Sequence, residues 1–128
     1  MTYLFVALGC ALGGICRYWS AMLMERWLGD AFPWGTLLVN IVGSFLLGAT
    51  LGAGISFAEG VLNFQRLHAF LVFGFCGGLT TFSTFSLQNL SLLSRHAILP
   101  LALNICLSVG LCLIAGAGGY SLMERWTA

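Results

Sequence analysis

The chain has 128 residues, 59% of them hydrophobic and 7% charged, with a formal net charge of +1. A water-soluble domain of this length cannot cover its surface with so few polar residues, so the composition points to an integral membrane protein with lipid as its surroundings. A charge this close to zero gives no ground for nucleic acid as a partner.

A helix of about 20 residues crosses a hydrocarbon core of about 30 Å, and four apolar runs meet that length. They lie near 2–28, 35–57, 67–93 and 98–122. The reading is an all-α membrane protein: a single four-helix transmembrane domain over 1–128. The first run lacks the basic start and small-residue cleavage site of a signal peptide, so it is read as a retained span. Gly29, Asp30 and Pro33 mark the first turn. Residues 56–66 form the longest link and are expected along the interface. Trp27, Trp34 and Trp126 flank the spans, as interfacial aromatics do. Gly9 with Gly13, and Gly48 with Gly52, are small-xxx-small pairs that let helix backbones approach closely.

The third run carries the most informative stretch. Residues 74–86 combine the paired Gly77 and Gly78 with five hydroxyl side chains: Thr80, Thr81, Ser83, Thr84 and Ser86. This composition predicts a helix broken near the midplane. Such a break exposes backbone carbonyls, survives only inside protein or beside a polar cavity, and is how membrane proteins offer backbone groups to an ion.

Charge outside the spans is balanced. With four crossings, one face carries Arg66 and Arg125 and the other Arg26 and Arg95. The acids divide as Glu59 and Glu124 against Glu25 and Asp30, and there is no lysine. Orientation follows the Lys/Arg bias of short loops, and here none exists. The expectation is dual topology, with an antiparallel homodimer about a two-fold axis in the membrane plane.

Polar groups inside spans each need a partner or a role. Arg17 either snorkels to the interface or faces a vestibule, where it would concentrate anions. Asn40 either holds an anion through its amide or ties two helices together. Phe82, Phe85 and Asn89 share a helix face with Gln88 at its edge, while Ser83 and Thr84 point away. The phenylalanines either pack or turn positive ring edges toward an anion. Asn89 and Gln88, near the span end, are expected to be solvated at the interface. Asn104 and Ser108, four apart, form a polar stripe suited to interhelical hydrogen bonds. Cys10, Cys16, Cys76, Cys106 and Cys112 show no metal or disulfide spacing and are read as small buried hydrophobes. His68 and His96 sit at span ends without ligand-spaced neighbours, and no enzyme motif is present.

Three stretches together resemble the Fluc (CrcB-type) fluoride channels of microbes. They are Gly13-Gly14 followed by Arg17-Tyr18, Gly35-Thr36-Leu37-Leu38-Val39-Asn40 with Gly43, and Gly74 through Ser86. The resemblance covers nearly the whole chain. It implies an antiparallel dual-topology dimer with two fluoride pores and a structural Na⁺ at the dimer interface, held by the backbone carbonyls of Gly77 and Thr80. It assigns Asn40, Phe82, Phe85, Ser83, Thr84 and Ser108 to the pore and Arg17 to the vestibule. It implies passive export of fluoride across the cell (inner) membrane. Pro100 departs from some relatives, which carry a tyrosine about one turn before the Asn104 position. Two readings compete: a small multidrug-type proton antiporter, which needs an intramembrane carboxylate, and a non-transporting assembly subunit held together by its glycine faces.

Overall fold

The computed structural model describes residues 1–54 and 62–127, and every regular element among them is helical. Four stretches are long and apolar enough to cross a membrane: Thr2–Leu28, Trp34–Gly52, Gln65–Ser94 and Ile98–Trp126. The first is helix α1, Thr2–Leu28. It stops at Gly29, whose φ of 79° suits a residue without a Cβ and whose N–H returns to the Glu25 carbonyl at 2.9 Å. Pro33 then occupies the N-cap of α2, Trp34–Gly52, where a missing N–H does no harm. Helix α2 ends short of the expected position 57, and the part of the expected interfacial link over 56–61 lies outside the described residues.

The third span is not one helix. It runs as α3 (Leu62–His68), a π-helical stretch Ala69–Cys76, and a single turn Gly77–Leu79. Thr80 (φ −81°, ψ 155°) and Thr81 (φ −155°, ψ 117°) are extended, and α4 follows from Phe82 to Ser94. The extended pair falls at the middle of the Gln65–Ser94 span, so the break predicted from the glycines and hydroxyls is at mid-depth. The π-helical stretch was not foreseen, because hydropathy and residue spacing do not distinguish π from α winding.

Helix α1 lies backbone to backbone against that stretch. A Cβ on Gly9 or Gly13 would collide with the Phe70 or Phe75 carbonyl respectively, and one on Gly78 would stand 2.6 Å from the Cys10 carbonyl oxygen. The Gly48–Gly52 pair does the same work elsewhere. Added carbons there would strike the Gly116 and Tyr120 carbonyls of α5, Ile98–Thr127. So α1 pairs with the front half of the third span, and α2 with α5. Helices α4 and α5 are joined by Arg95, His96 and Ala97. Here the N–H of Ala97 reaches the Leu92 carbonyl at 2.9 Å and that of His96 the Leu93 carbonyl at 3.0 Å. This is a Schellman closure with His96, φ 55°, in the position glycine usually takes.

The interior is thin. The buried apolar residues among those described are Leu37, Val39, Ala69, Cys76, Leu79 and Phe85, while many large apolar side chains, among them Leu4, Phe73, Leu87 and Ile114, are exposed. That inversion belongs to a chain surrounded by lipid or by another protomer. It also corrects the cysteine reading. Only Cys76 is buried; Cys10 and Cys106 lie exposed on the apolar exterior, and Cys16 and Cys112 are half-buried.

Candidate functional site

Two extended residues in mid-membrane leave peptide groups without helical partners, and the structure supplies those partners from side chains. Asn40, on α2, clamps Thr81 from both ends. Its Oδ1 accepts the Thr81 N–H at 2.8 Å, and its Nδ2 donates to the Thr81 carbonyl at 3.2 Å. Of the two roles left open for Asn40, the tie between helices is the one the geometry displays. One amide N–H of Asn40 remains beyond the bond to Thr81.

Thr81 is also the N-cap of α4. Its Oγ1 accepts the Thr84 N–H at 3.2 Å, donates to Thr84 Oγ1 at 3.0 Å and lies 3.2 Å from Ser83 Oγ. The hydroxyls of Ser83 and Thr84 are thus gathered around Thr81. The sequence reading gave Thr81 no role of its own. Its signal was there, since threonine at the start of a helical segment is a preferred N-cap residue.

These diversions have an electrostatic consequence. In a continuous helix the Gly77 carbonyl would accept the Thr81 N–H, and the Thr80 carbonyl would accept the Thr84 N–H. The first N–H goes to Asn40 and the second to Thr81 Oγ1. Gly77 and Thr80 are therefore the residues whose carbonyls lose helical donors to the side chains at the break. Thr80 otherwise stays anchored, its N–H and its hydroxyl both donating to the Cys76 carbonyl at 2.9 and 2.8 Å. Arg17 Nη1 reaches the Thr80 carbonyl at 3.4 Å. The guanidinium thus lies against the break.

Beside the break runs a groove of about 370 Å³. Its walls include Asn40 and Ser44 from α2, Thr80 and Thr81 at the break, Phe82 and Phe85 from α4, and Ser108 from α5. Of the expected site residues, the groove collects Asn40, Thr80, Phe82, Phe85 and Ser108. Ser83, Thr84, Gly77 and Arg17 lie outside it. The two phenylalanine rings are 5.4 Å apart, but their burial differs. Phe85 is closed in at 9% exposure, and Phe82 stands outward at 78%. Ser44 is an addition, one helical turn beyond Asn40 and hence on its face.

Two expectations at the span end change. Asn89 is not left to interfacial water, because its Oδ1 accepts from Asn104 Nδ2 at 2.7 Å. Gln88 turns into a cavity of about 240 Å³ shared with Glu25, Asp30, Ser91 and Arg95. Its Oε1 is buried there with no hydrogen-bond partner among the described residues.

These features define a class: a small multi-pass membrane protein built around a span interrupted at mid-depth, with side chains from two helices holding the interruption open. The chain belongs to the family described as CrcB-like protein, Camphor Resistance (CrcB), whose model matches residues 4–120. It is similar to a protein of Rhodospirillum rubrum named fluoride-specific ion channel FluC, with 48% identity over 115 residues, 89% of this chain and 88% of that one. Proteins of the same name from Coxiella burnetii (44% over 117 residues, 91% and 92%) and Methylocella silvestris (42% over 118 residues, 90% and 87%) are likewise similar.

Proposed function

We propose that this protein is a fluoride-selective channel that lets the ion leave the cell passively and thereby confers fluoride resistance. The observation that carries the reading is the span broken at Thr80–Thr81 beside a groove combining an amide, hydroxyls and two phenyl rings. The relatives' name, fluoride-specific ion channel, supports the choice of ion. In acid surroundings neutral HF crosses lipid, dissociates at the higher cytoplasmic pH and leaves F⁻ trapped. A membrane potential negative inside then expels the anion with about 2.3 kcal/mol per charge per 100 mV, so no coupled energy source and no catalytic group are required.

Fluoride is small and strongly hydrated, so an apolar constriction alone would favour larger anions. A narrow, rigid path reverses that order if it returns donors for the water removed. The spare Asn40 N–H, the Ser44 hydroxyl and the positive edges of Phe82 and Phe85 are suited to that task. None of them is a full charge, which keeps each binding step weak enough for the ion to move on.

The groove is open along one side, and Phe82, Ser83 and Gly77 are exposed on the protomer. Irregular backbone at this depth is not tolerated against lipid. An antiparallel second copy would cover it, in keeping with the balanced arginines, and would give two paths per dimer. The same two-fold axis would bring together the Gly77 and Thr80 carbonyls of both protomers. Four carbonyl oxygens without their helical donors suit a hard monovalent cation, each Thr80 oxygen keeping a second lone pair beside the one that accepts Arg17, and we assign Na⁺ there as a structural ion. The inner membrane is the compartment this role requires.

The antiporter alternative needs a carboxylate within the membrane. Glu25 and Asp30 line the cavity at the span end beside Arg95, away from the break, so nothing favours that reading. The deciding measurement is fluoride against chloride efflux from liposomes holding the purified protein, read with ion-selective electrodes. Rapid fluoride loss with chloride retained is expected. Equal passage of both, or flux only when a proton gradient is imposed, would overturn the assignment.

A further inference from the structure

Asn104 is the most buried polar side chain described, at 1% exposure, and its two hydrogen bonds run in opposite senses. Nδ2 donates to Asn89 Oδ1 on α4 at 2.7 Å, and Oδ1 accepts the Ser108 hydroxyl at 3.4 Å. An amide carries its acceptor on one side and its donors on the other. With the NH₂ group held by Asn89, the carbonyl oxygen has to face Ser108.

Serine has one proton and two lone pairs. Once the proton is given to Asn104, Ser108 shows only lone pairs to the groove that it lines with Asn40, Phe82 and Phe85. Lone pairs repel an anion, and a hydroxyl proton would bind it. We infer that Asn104 is a positioning residue that withholds the Ser108 proton from the ion path. It thereby keeps fluoride loosely held at that point.

This rests on reading the groove as a fluoride path, and it deepens that reading. Fluoride is a strong hydrogen-bond acceptor. A free Ser108 proton working with the spare Asn40 N–H would make a two-donor trap, whereas conduction requires that the ion leave. The Asn89–Asn104–Ser108 relay trades affinity for passage. It also explains why an amide is completely buried next to Ser108. Its role is to orient a neighbour, with no contact of its own to the ion.

The test is the fluoride concentration dependence of efflux from liposomes for four chains: the parent, S108A, N89L/N104L and N89L/N104L/S108A. Replacing both amides together leaves neither one buried without a partner, which favours folding. Freeing the Ser108 proton should lower the half-saturating fluoride concentration of N89L/N104L by about fivefold relative to the parent, the weight of one net hydrogen bond. Its maximal rate should fall as well. In the S108A background the same pair of changes should produce no shift. An unchanged N89L/N104L curve, or a shift that persists without Ser108, overturns the inference while the fluoride reading stands. A parent with no fluoride flux overturns both. Should the double replacement fail to assemble, N104A with and without S108A carries the same comparison, since Asn89 is only half-buried.

Discussion

Replacing Asn40 by alanine tests the reasoning about the break most directly. The change strips Thr81 of both bonds, at 2.8 and 3.2 Å, and leaves a peptide N–H and C=O unpaired at mid-membrane. An unsatisfied buried group costs about 1–3 kcal/mol, so two give an upper range of about 2–6 kcal/mol. Side-chain hydrogen bonds in membranes measure less, about 0.6 kcal/mol on average, because the loosened state finds other partners. Here the competing partner is identifiable. If the helix closed over the break, the Thr81 N–H would return to the Gly77 carbonyl. Part of the loss is thereby recovered, at the expense of the break itself. The expected outcome is a destabilisation of about 2–3 kcal/mol and loss of fluoride efflux. Unfolding of the detergent-solubilised protein followed by tryptophan fluorescence measures the first, and a fluoride electrode on liposomes measures the second. Asn40→Asp keeps the acceptor for the Thr81 N–H but sets a carboxylate oxygen against the Thr81 carbonyl. It should be intermediate in stability and still block flux. An Asn40→Ala protein with parental stability and parental efflux would refute the clamp.

The adjacent glycines of α1 should behave in opposite ways. Gly13→Ala forces a methyl into the Phe75 carbonyl and should destabilise by about 1–3 kcal/mol in the same unfolding assay. Gly14→Ala meets nothing within 4 Å and should be neutral or stabilising by up to about 1 kcal/mol; equal effects would reject the close packing of α1 on the π-helical stretch. His96→Gly relieves a left-handed residue and should raise stability by about 1 kcal/mol, read as a shifted unfolding midpoint with flux unaltered. Thr81→Val removes the cap of α4 and should lose about 1 kcal/mol together with fluoride rate, while Thr81→Ser, which keeps the hydroxyl, should retain both. Phe82→Ile removes a ring face and edge from the path without touching the clamp, so fluoride efflux should drop sharply while the protein elutes unchanged on gel filtration.

Much of this molecule was legible from residue types alone, for reasons that are local or set by the solvent. A hydrocarbon core admits few backbone solutions, so four apolar runs had to be helices, and Gly77-Gly78 followed by hydroxyl residues had to interrupt one. Glycine pairs four apart marked close helix contacts, and the structure shows the contacts at Gly9, Gly13, Gly48 and Gly52. The roles of individual polar side chains were less legible. Asn89 reads as an interfacial residue from its place in the chain, yet it anchors Asn104 fifteen positions away. Cys10 and Cys106 read as interior because they are apolar, but in a membrane apolar residues also face outward.

The sequence by itself determined the membrane setting, the number of crossings and the position of the discontinuity, because each follows from composition and spacing under the bilayer's demand that backbone groups be satisfied. Only the tertiary structure decided which partner satisfies which group. Asn40 goes to Thr81, Thr81 Oγ1 goes to Thr84, and the carbonyls of Gly77 and Thr80 lose their helical donors as a result, the second taking Arg17 instead. A hydrogen bond has direction and reach, and residues 41 positions apart acquire both only when α2 and the third span have packed together.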